Sequence, residues 1–286
     1  MPHRAAPREI SYCSSARSRP GKFLIRALEN LTGRPRLLRM ADGYETEMAG
    51  GRSFWEVMQE RYRIEMDLVG AGLANIPAEG PLVLVANHPY GILDGLALGH
   101  ILSAARSDFR IIAHSVFRKA PELEDIILPV DFSGTREARA VNVRTRRDAL
   151  AYLAQGGAIG VFPAGTVSTA AKPFSRPMDT VWKPFTARMI ARSGARVVPV
   201  HFDGHNSRLF QVASHLNYTL RMALMISEFD SRVGGPLRIR IGEPLPEREI
   251  VRRAGDPQAL MEWLRARTYA LGPRPDADLS HGLYLG

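Results

Sequence analysis

The chain has little of what several enzyme classes require. Its 286 residues include one cysteine, Cys13, which excludes an intramolecular disulfide and any cysteine-rich metal site. Cys13 lies in a tail rich in serine and arginine, a poor setting for a catalytic thiol, and it is compatible with a reducing compartment. There is no Gly-x-Ser-x-Gly elbow, which argues against a serine hydrolase. There is no glycine-rich phosphate loop, which argues against a nucleotide enzyme. No uninterrupted apolar run has the length of a membrane span; 92–105 and 220–226 are too short or carry polar residues. His114, His201 and His205 show no metal-ligand spacing, so no metal is expected. Without a helix-turn-helix, finger or aromatic RNA-binding motif, nucleic acid is not an expected partner.

What is present is an ordinary globular composition, 45% hydrophobic and 23% charged. The length suits one large α/β domain with appendages. The net charge of +9 is concentrated at one end: residues 1–40 hold nine arginines and lysines against Glu9 and Glu29. Phe23, Leu24, Ile25, Leu28 and Leu31 recur among those cations near helical spacing. A basic amphipathic helix of this kind suits an anionic membrane surface. A solvated tail and a transit peptide remain alternatives, since the segment is rich in arginine and serine and poor in acids. The division expected is a basic, partly helical segment over 1–50 and a single α/β domain over 51–286. The location expected is peripheral, at the cytoplasmic face of the membrane.

From residue 53 onward, helix-like and strand-like patterns alternate. Strands are expected at 64–70, 82–87, 109–114, 125–131, 157–162, 196–202 and 236–241. Helices are expected at 21–32, 53–65, 93–104, 137–154, 181–193, 214–228 and 257–270. Such alternation predicts an α/β fold, a mostly parallel central sheet flanked by helices, with functional loops at the carboxyl ends of strands. Two loops meet that description. The first is Asn87-His88-Pro89-Tyr90-Gly91-Ile92-Leu93-Asp94-Gly95, after the aliphatic run 81–86. Pro89 keeps His88 extended, and Gly91 and Gly95 allow a tight turn before the helix that carries Asp94. A histidine oriented by a carboxylate can take a proton from a hydroxyl, the core of acyl transfer to an alcohol. A histidine beside an aspartate is also a frequent structural pair. The second loop, Phe162-Pro163-Ala164-Gly165-Thr166-Val167-Ser168, again follows a strand-like run, and Val197-Val198-Pro199-Val200 is a third signal.

In that order these motifs resemble the series found in the glycerolipid and lysophospholipid acyltransferases. The match is closest to the acyltransferase domain of bacterial hemolysin-type proteins. Asp179-Thr180-Val181-Trp182, Gly204 to Phe210 and Arg240 to Pro244 support that branch, and the resemblance covers roughly residues 50–250. It implies an acyltransferase in which His88 is the general base and Asp94 holds its imidazole. The donor would be an acyl thioester, acyl-CoA or acyl-carrier protein, with no cofactor, and the acceptor a lyso-lipid hydroxyl or amine. Asn87, Gly91, Gly165, Thr166 and Ser168 are then candidate substrate contacts, with backbone amides near Gly165 and Thr166 facing the thioester carbonyl. Arg118 and Lys119 fall where family members bind acceptor head groups, and Lys172 and Arg176 are further candidates for that task.

Two departures from the family pattern stand out. Five residues separate His88 from Asp94, where four are usual. Ala164 and Val167 occupy positions where a Glu and an Arg commonly flank the Gly-Thr pair and help hold a phosphate head group. Losing that Arg removes a charge-assisted donor, so lysophosphatidic acid is expected to be a poor acceptor. The same departures prompt a non-enzymatic alternative, a catalytically weak module that binds acyl chains or acyl-carrier protein. A turnover assay with thioester donors separates the two.

Overall fold

A computed structural model describes residues 10–16, 18–114, 121–131, 134–274 and 279–284. Four helices come first: α1 (Arg19–Leu31), α2 (Arg34–Ala41), α3 (Tyr44–Ala49) and α4 (Phe54–Arg61). Then follow β1 (Glu65–Val69), β2 (Leu82–Ala86), α5 (Ile92–Ala105), β3 (Phe109–His114), β4 (Ile127–Val130), α6 (Arg136–Ala154) and β5 (Ala158–Val161). A short hairpin, β6 (Thr169–Ala170) and β7 (Pro177–Met178), leads to α7 (Pro184–Ser193) and β8 (Arg196–Phe202). The rest is α8 (Arg208–Leu216), α9 (Tyr218–Asp230), β9 (Pro236–Ile241), α10 (Glu247–Arg253) and α11 (Pro257–Tyr269).

The main sheet runs β1-β9-β8-β2-β5-β3-β4. Every neighbouring pair is parallel except β8 and β9. The expected fold class is therefore the observed one. Strand β2 shows why its sequence is apolar throughout. Leu82, Leu84 and Ala86 pack in one core with Trp55 of α4, Leu98 and Leu102 of α5 and Phe229 of α9. Val83 and Val85 pack in another with Leu153 of α6, Met189 of α7 and Leu264 of α11. A strand buried on both faces, as parallel strands are, has no polar side to show in its sequence.

Three differences from the sequence reading have clear causes. The helix expected over 214–228 is two helices, α8 and α9. Asn217 between them is extended (φ −161°, ψ 131°), and its side chain caps α9 by accepting the N–H groups of Thr219 and Leu220. The helix expected from 181 begins at Pro184, because the residue before a proline is driven out of the helical region. The short helices α2, α3 and α10 and the hairpin carry too little periodicity to be read from sequence.

The basic N-terminal segment is docked on the domain. Helix α1 packs along α9, and α2 packs against α9 and α4. Inward-facing Ile25 is fully buried, and the buried Glu29 carboxylate accepts the Ser11 hydroxyl and the Tyr12 amide, both at 2.6 Å. At the other end, buried Arg265 of α11 donates to the carbonyls of Leu279, Ser280 and Asp179. Residues 279–284 are thereby laid across the hairpin, where Gly282 N–H meets Asp179 O and Leu283 N–H meets Thr169 O. Among the described residues, no helix is long and apolar enough to cross a membrane.

Candidate active site

The site is built where β2 and β5 end. Just past β2, Asn87 is buried, and its carboxamide bridges to the neighbouring strand, giving N–H to Phe202 O (2.9 Å) and accepting Phe202 N–H (2.8 Å). His88 follows, and the chain turns through Pro89 and Tyr90 to Gly91, at φ +93°, before α5 begins. A side chain at Gly91 would approach the Met225 methyl to 2.5 Å, so both the backbone conformation and the space demand glycine. Asp94 lies in the first turn of α5, where a carboxylate complements the free amides and the helix dipole. Its Oδ2 accepts the N–H groups of Tyr90 (2.7 Å) and Gly91 (3.0 Å) and sits 3.0 Å from His88 Nδ1. The five intervening residues do not separate the pair, because the glycine turn takes them up.

The carboxylate partner assigns the His88 proton to Nδ1, which leaves Nε2 with its lone pair free to accept a proton. The ring is held from its face as well: Phe162 stacks on it at 4.1 Å and 23°. Asp94 is fully buried, whereas the His88 side chain keeps 17% exposure. Burial raises the Asp94 carboxyl above its ordinary range, against the opposing pull of His88 and the two amides. Its other oxygen, Oδ1, has no hydrogen-bond partner among the described residues.

The second loop is tied to the first. Ser168 N–H donates to His88 O at 2.8 Å. The Ser168 hydroxyl donates to the buried Asp179 carboxylate, which also accepts the His88 N–H (3.2 Å) and the Trp182 indole N–H (2.8 Å). Within the loop, Gly165 is left-handed (φ +70°) and gives its N–H to Phe162 O. The N–H groups of Thr166 and Val167 donate to no protein group among the described residues. From α9, the Arg221 guanidinium reaches under this loop to Thr169 Oγ1 and Ser214 Oγ (2.7 Å each), Val167 O (3.0 Å) and Thr166 Oγ1 (3.4 Å). It is 2% exposed and forms no carboxylate pair among the described residues. Burial lowers its pKa to about 10, so it remains a cation at neutral pH.

A family model described as "Acyltransferase" matches residues 47–278. The chain belongs to this acyltransferase family. It is similar to a lyso-glycine lipid O-acyltransferase of Phocaeicola vulgatus, with 25% identity over 203 residues, 68% of this chain and 70% of the relative. A protein of the same name from Bacteroides thetaiotaomicron is 24% identical over 182 residues, 61% of this chain and 64% of that one. Among solved structures it resembles the 1-acyl-sn-glycerophosphate (LPA) acyltransferase PlsC of Thermotoga maritima. That likeness has a TM-score of 0.47 and 17% identity over 91% of this chain and 85% of that chain.

In this acyltransferase the candidates read from sequence take different positions. His88 and Asp94 are in contact, and Gly165 and half-buried Thr166 lie on the loop bonded to His88. Three candidate substrate contacts have structural work. Asn87 and Ser168 are buried with their polar side-chain atoms engaged by protein, and buried Gly91 makes the turn. The Gly165 amide is likewise committed within its turn, so the loop amides with no protein acceptor among the described residues are those of Ala164, Thr166 and Val167. Arg118 and Lys119 lie outside the described residues. Lys172 is exposed and Arg176 half-buried. Ala164 and Val167, the departures from the common pattern, are both buried, Val167 against Phe210 and Met225. Sequence reasoning missed the roles of Phe162, Asp179 and Arg221. The first two lay inside quoted motifs, whereas Arg221 has no local signal. Among the described residues no three His, Cys, Asp or Glu side chains gather to hold a metal ion.

Proposed function

We propose that this acyltransferase moves a fatty acyl group from an acyl thioester, acyl-CoA or acyl-carrier protein, to a hydroxyl of a lyso-lipid acceptor at a membrane surface. The observation that carries the reading is the His88–Asp94 contact at 3.0 Å, with Phe162 stacked on the ring. His88 Nε2 takes the acceptor hydroxyl proton as the oxygen attacks the thioester carbonyl carbon. The N–H groups of Thr166 and Val167 receive the oxyanion of the tetrahedral intermediate. Asp94 stabilises the imidazolium. Collapse breaks the carbon–sulfur bond, and the departing thiolate takes the proton from His88, leaving an ester and a free thiol.

Two observations bear on the acceptor. The relatives in Phocaeicola and Bacteroides are named for O-acylation of a lyso-glycine lipid, which favours hydroxyl over amine. The loop positions that commonly hold phosphate are apolar and buried here, and the nearby Arg221 is already engaged by the loop. A lyso-amino-acid lipid is therefore the preferred acceptor, and lysophosphatidic acid a poor one. The test is a panel of lyso-lipids offered with acyl-CoA and with acyl-carrier protein, each product identified by mass. Selective acylation of lysophosphatidic acid would reject the acceptor assignment, and no transfer from either thioester would reject the donor class. The basic segment supplies the membrane contact: Phe23 and Leu24 of docked α1 are exposed beside Arg19 and Lys22, while Leu28 turns inward.

A further inference from the structure

Helix α8 is oriented with apolar side chains outward. Its inward side is buried and polar in part: Gln211 accepts the Ala170 N–H, His215 Nε2 lies 2.9 Å from Ala170 O, and Ser214 bonds Arg221. The helix thus sits directly on the chain that leaves the second loop. Its outward side presents Leu209 (66% exposed) and Leu216 (72%), about two helical turns apart and so on one face, with half-buried Val212 between them. An amphipathic surface helix normally presents the reverse pattern. At its start, the Arg208 guanidinium donates to the carbonyl of Phe174, whose side chain is 79% exposed. At its end comes exposed Tyr218, and next to it α1, which packs on the same helix, α9, as α8 does.

The exposed charge that these elements carry has one sign. Helix α8 and residues 171–176 contain no Asp or Glu, and the only acid of α1, Glu29, is buried. Lys172, Arg208, Lys22 and Arg19 of these same elements are exposed. Bulky apolar projections on elements whose exposed charges are all cations suit a fluid anionic surface, into which side chains can insert while the cations meet head groups.

We propose that α8 and the 171–176 loop form a second docking element, which seats on an anionic lipid bilayer beside α1 and sets the second loop at the lipid surface. This rests on the reading above that the acceptor is a membrane lyso-lipid, and it assigns contact to a part of the chain far from the basic N-terminal segment. The test uses the full chain and two vesicle types, phosphatidylcholine alone and phosphatidylcholine with phosphatidylglycerol. The wild type should sediment with the anionic vesicles, and Leu209→Glu/Leu216→Glu should weaken that partitioning about tenfold or more. Transfer to a short-chain, detergent-dispersed acceptor should be unchanged in the same variant, which also confirms its fold. In a second measurement, the indole introduced by Leu216→Trp should be quenched by brominated lipid in anionic vesicles. Partitioning unchanged by the double substitution, an introduced indole left unquenched, or equal binding to neutral vesicles would overturn the proposal. Vesicle binding is read without turnover, so a wrong acceptor would appear only as absent transfer in detergent.

Discussion

The two loops of the site are built on different scales. In the first, the contacts of Asp94 are local, joining it to His88, Tyr90 and Gly91 over at most six residues, although the His88 N–H also reaches Asp179 across 91. The second is held from a distance. Gln211 reaches Ala170 across 41 residues and Arg221 reaches Thr166, Val167 and Thr169 across 52 to 55. A compact motif brings His88 and Asp94 together, while the second loop depends on helices much later in the chain. On the proposed reading, residues such as Ala164 and Val167 can therefore differ in the second loop while the His88–Asp94 contact stays as it is.

Substitutions can break this contrast. His88→Ala should have the largest effect, about a 10²–10⁴-fold loss of turnover with the fold intact. Near-normal turnover in that folded variant would remove the base assignment. Asp94→Asn should lose less activity and show a distinctive stability profile. Burial raises the folded-state pKa of Asp94, so the folded protein binds that proton more tightly than the unfolded chain does. The resulting stabilisation is present at acid pH and is lost as pH rises through the raised folded pKa, where ionisation becomes a burden. Asparagine cannot ionise, so the variant should gain stability relative to wild type as pH goes from acid to neutral. Denaturant unfolding at several pH values checks this, and a difference that stays flat with pH rejects it.

The second loop should respond differently. Arg221→Met should cost about 1–3 kcal/mol of stability by stranding several acceptors. It should raise the KM for the acceptor more than the KM for the thioester, and Arg221→Lys should recover part of both. Equal changes in the two KM values would mean that the arginine serves the fold alone. The smallest effect belongs to Lys172→Ala assayed in detergent, where an exposed cation should shift the acceptor KM by no more than about twofold. A tenfold rise would instead locate head-group recognition at Lys172.

Legibility in the sequence followed the same division. β3, β8 and β9 occur at the expected residues, because buried apolar runs with clear ends leave strong local signals. His88 and Asp94 were legible because the turn and helix that join them are contiguous. Arg221 was not: an arginine in an ordinary helix gains its meaning only when α9 lies under a loop more than 50 residues earlier. Asn87 and Ser168 were ambiguous for the opposite reason. A polar residue beside a base looks substrate-facing in sequence, yet each satisfies buried backbone or carboxylate groups once the strands are side by side. The break at Asn217 was hidden within a continuous apolar pattern, since a single capping residue removes no hydrophobic position.

The strap at 279–284 bears on how the protein comes off the ribosome. Synthesis proceeds from the N-terminus, so the β2 turn bearing His88 emerges long before Gly282 and Leu283 supply their bonds to Asp179 O and Thr169 O. Until then Arg265 has no Leu279 or Ser280 carbonyl to meet, and the backbone beside the Asp179 clamp lacks its outer partner. The nascent chain can thus form the His88–Asp94 turn well before residues 279–284 arrive to tie Asp179 and Thr169 from outside.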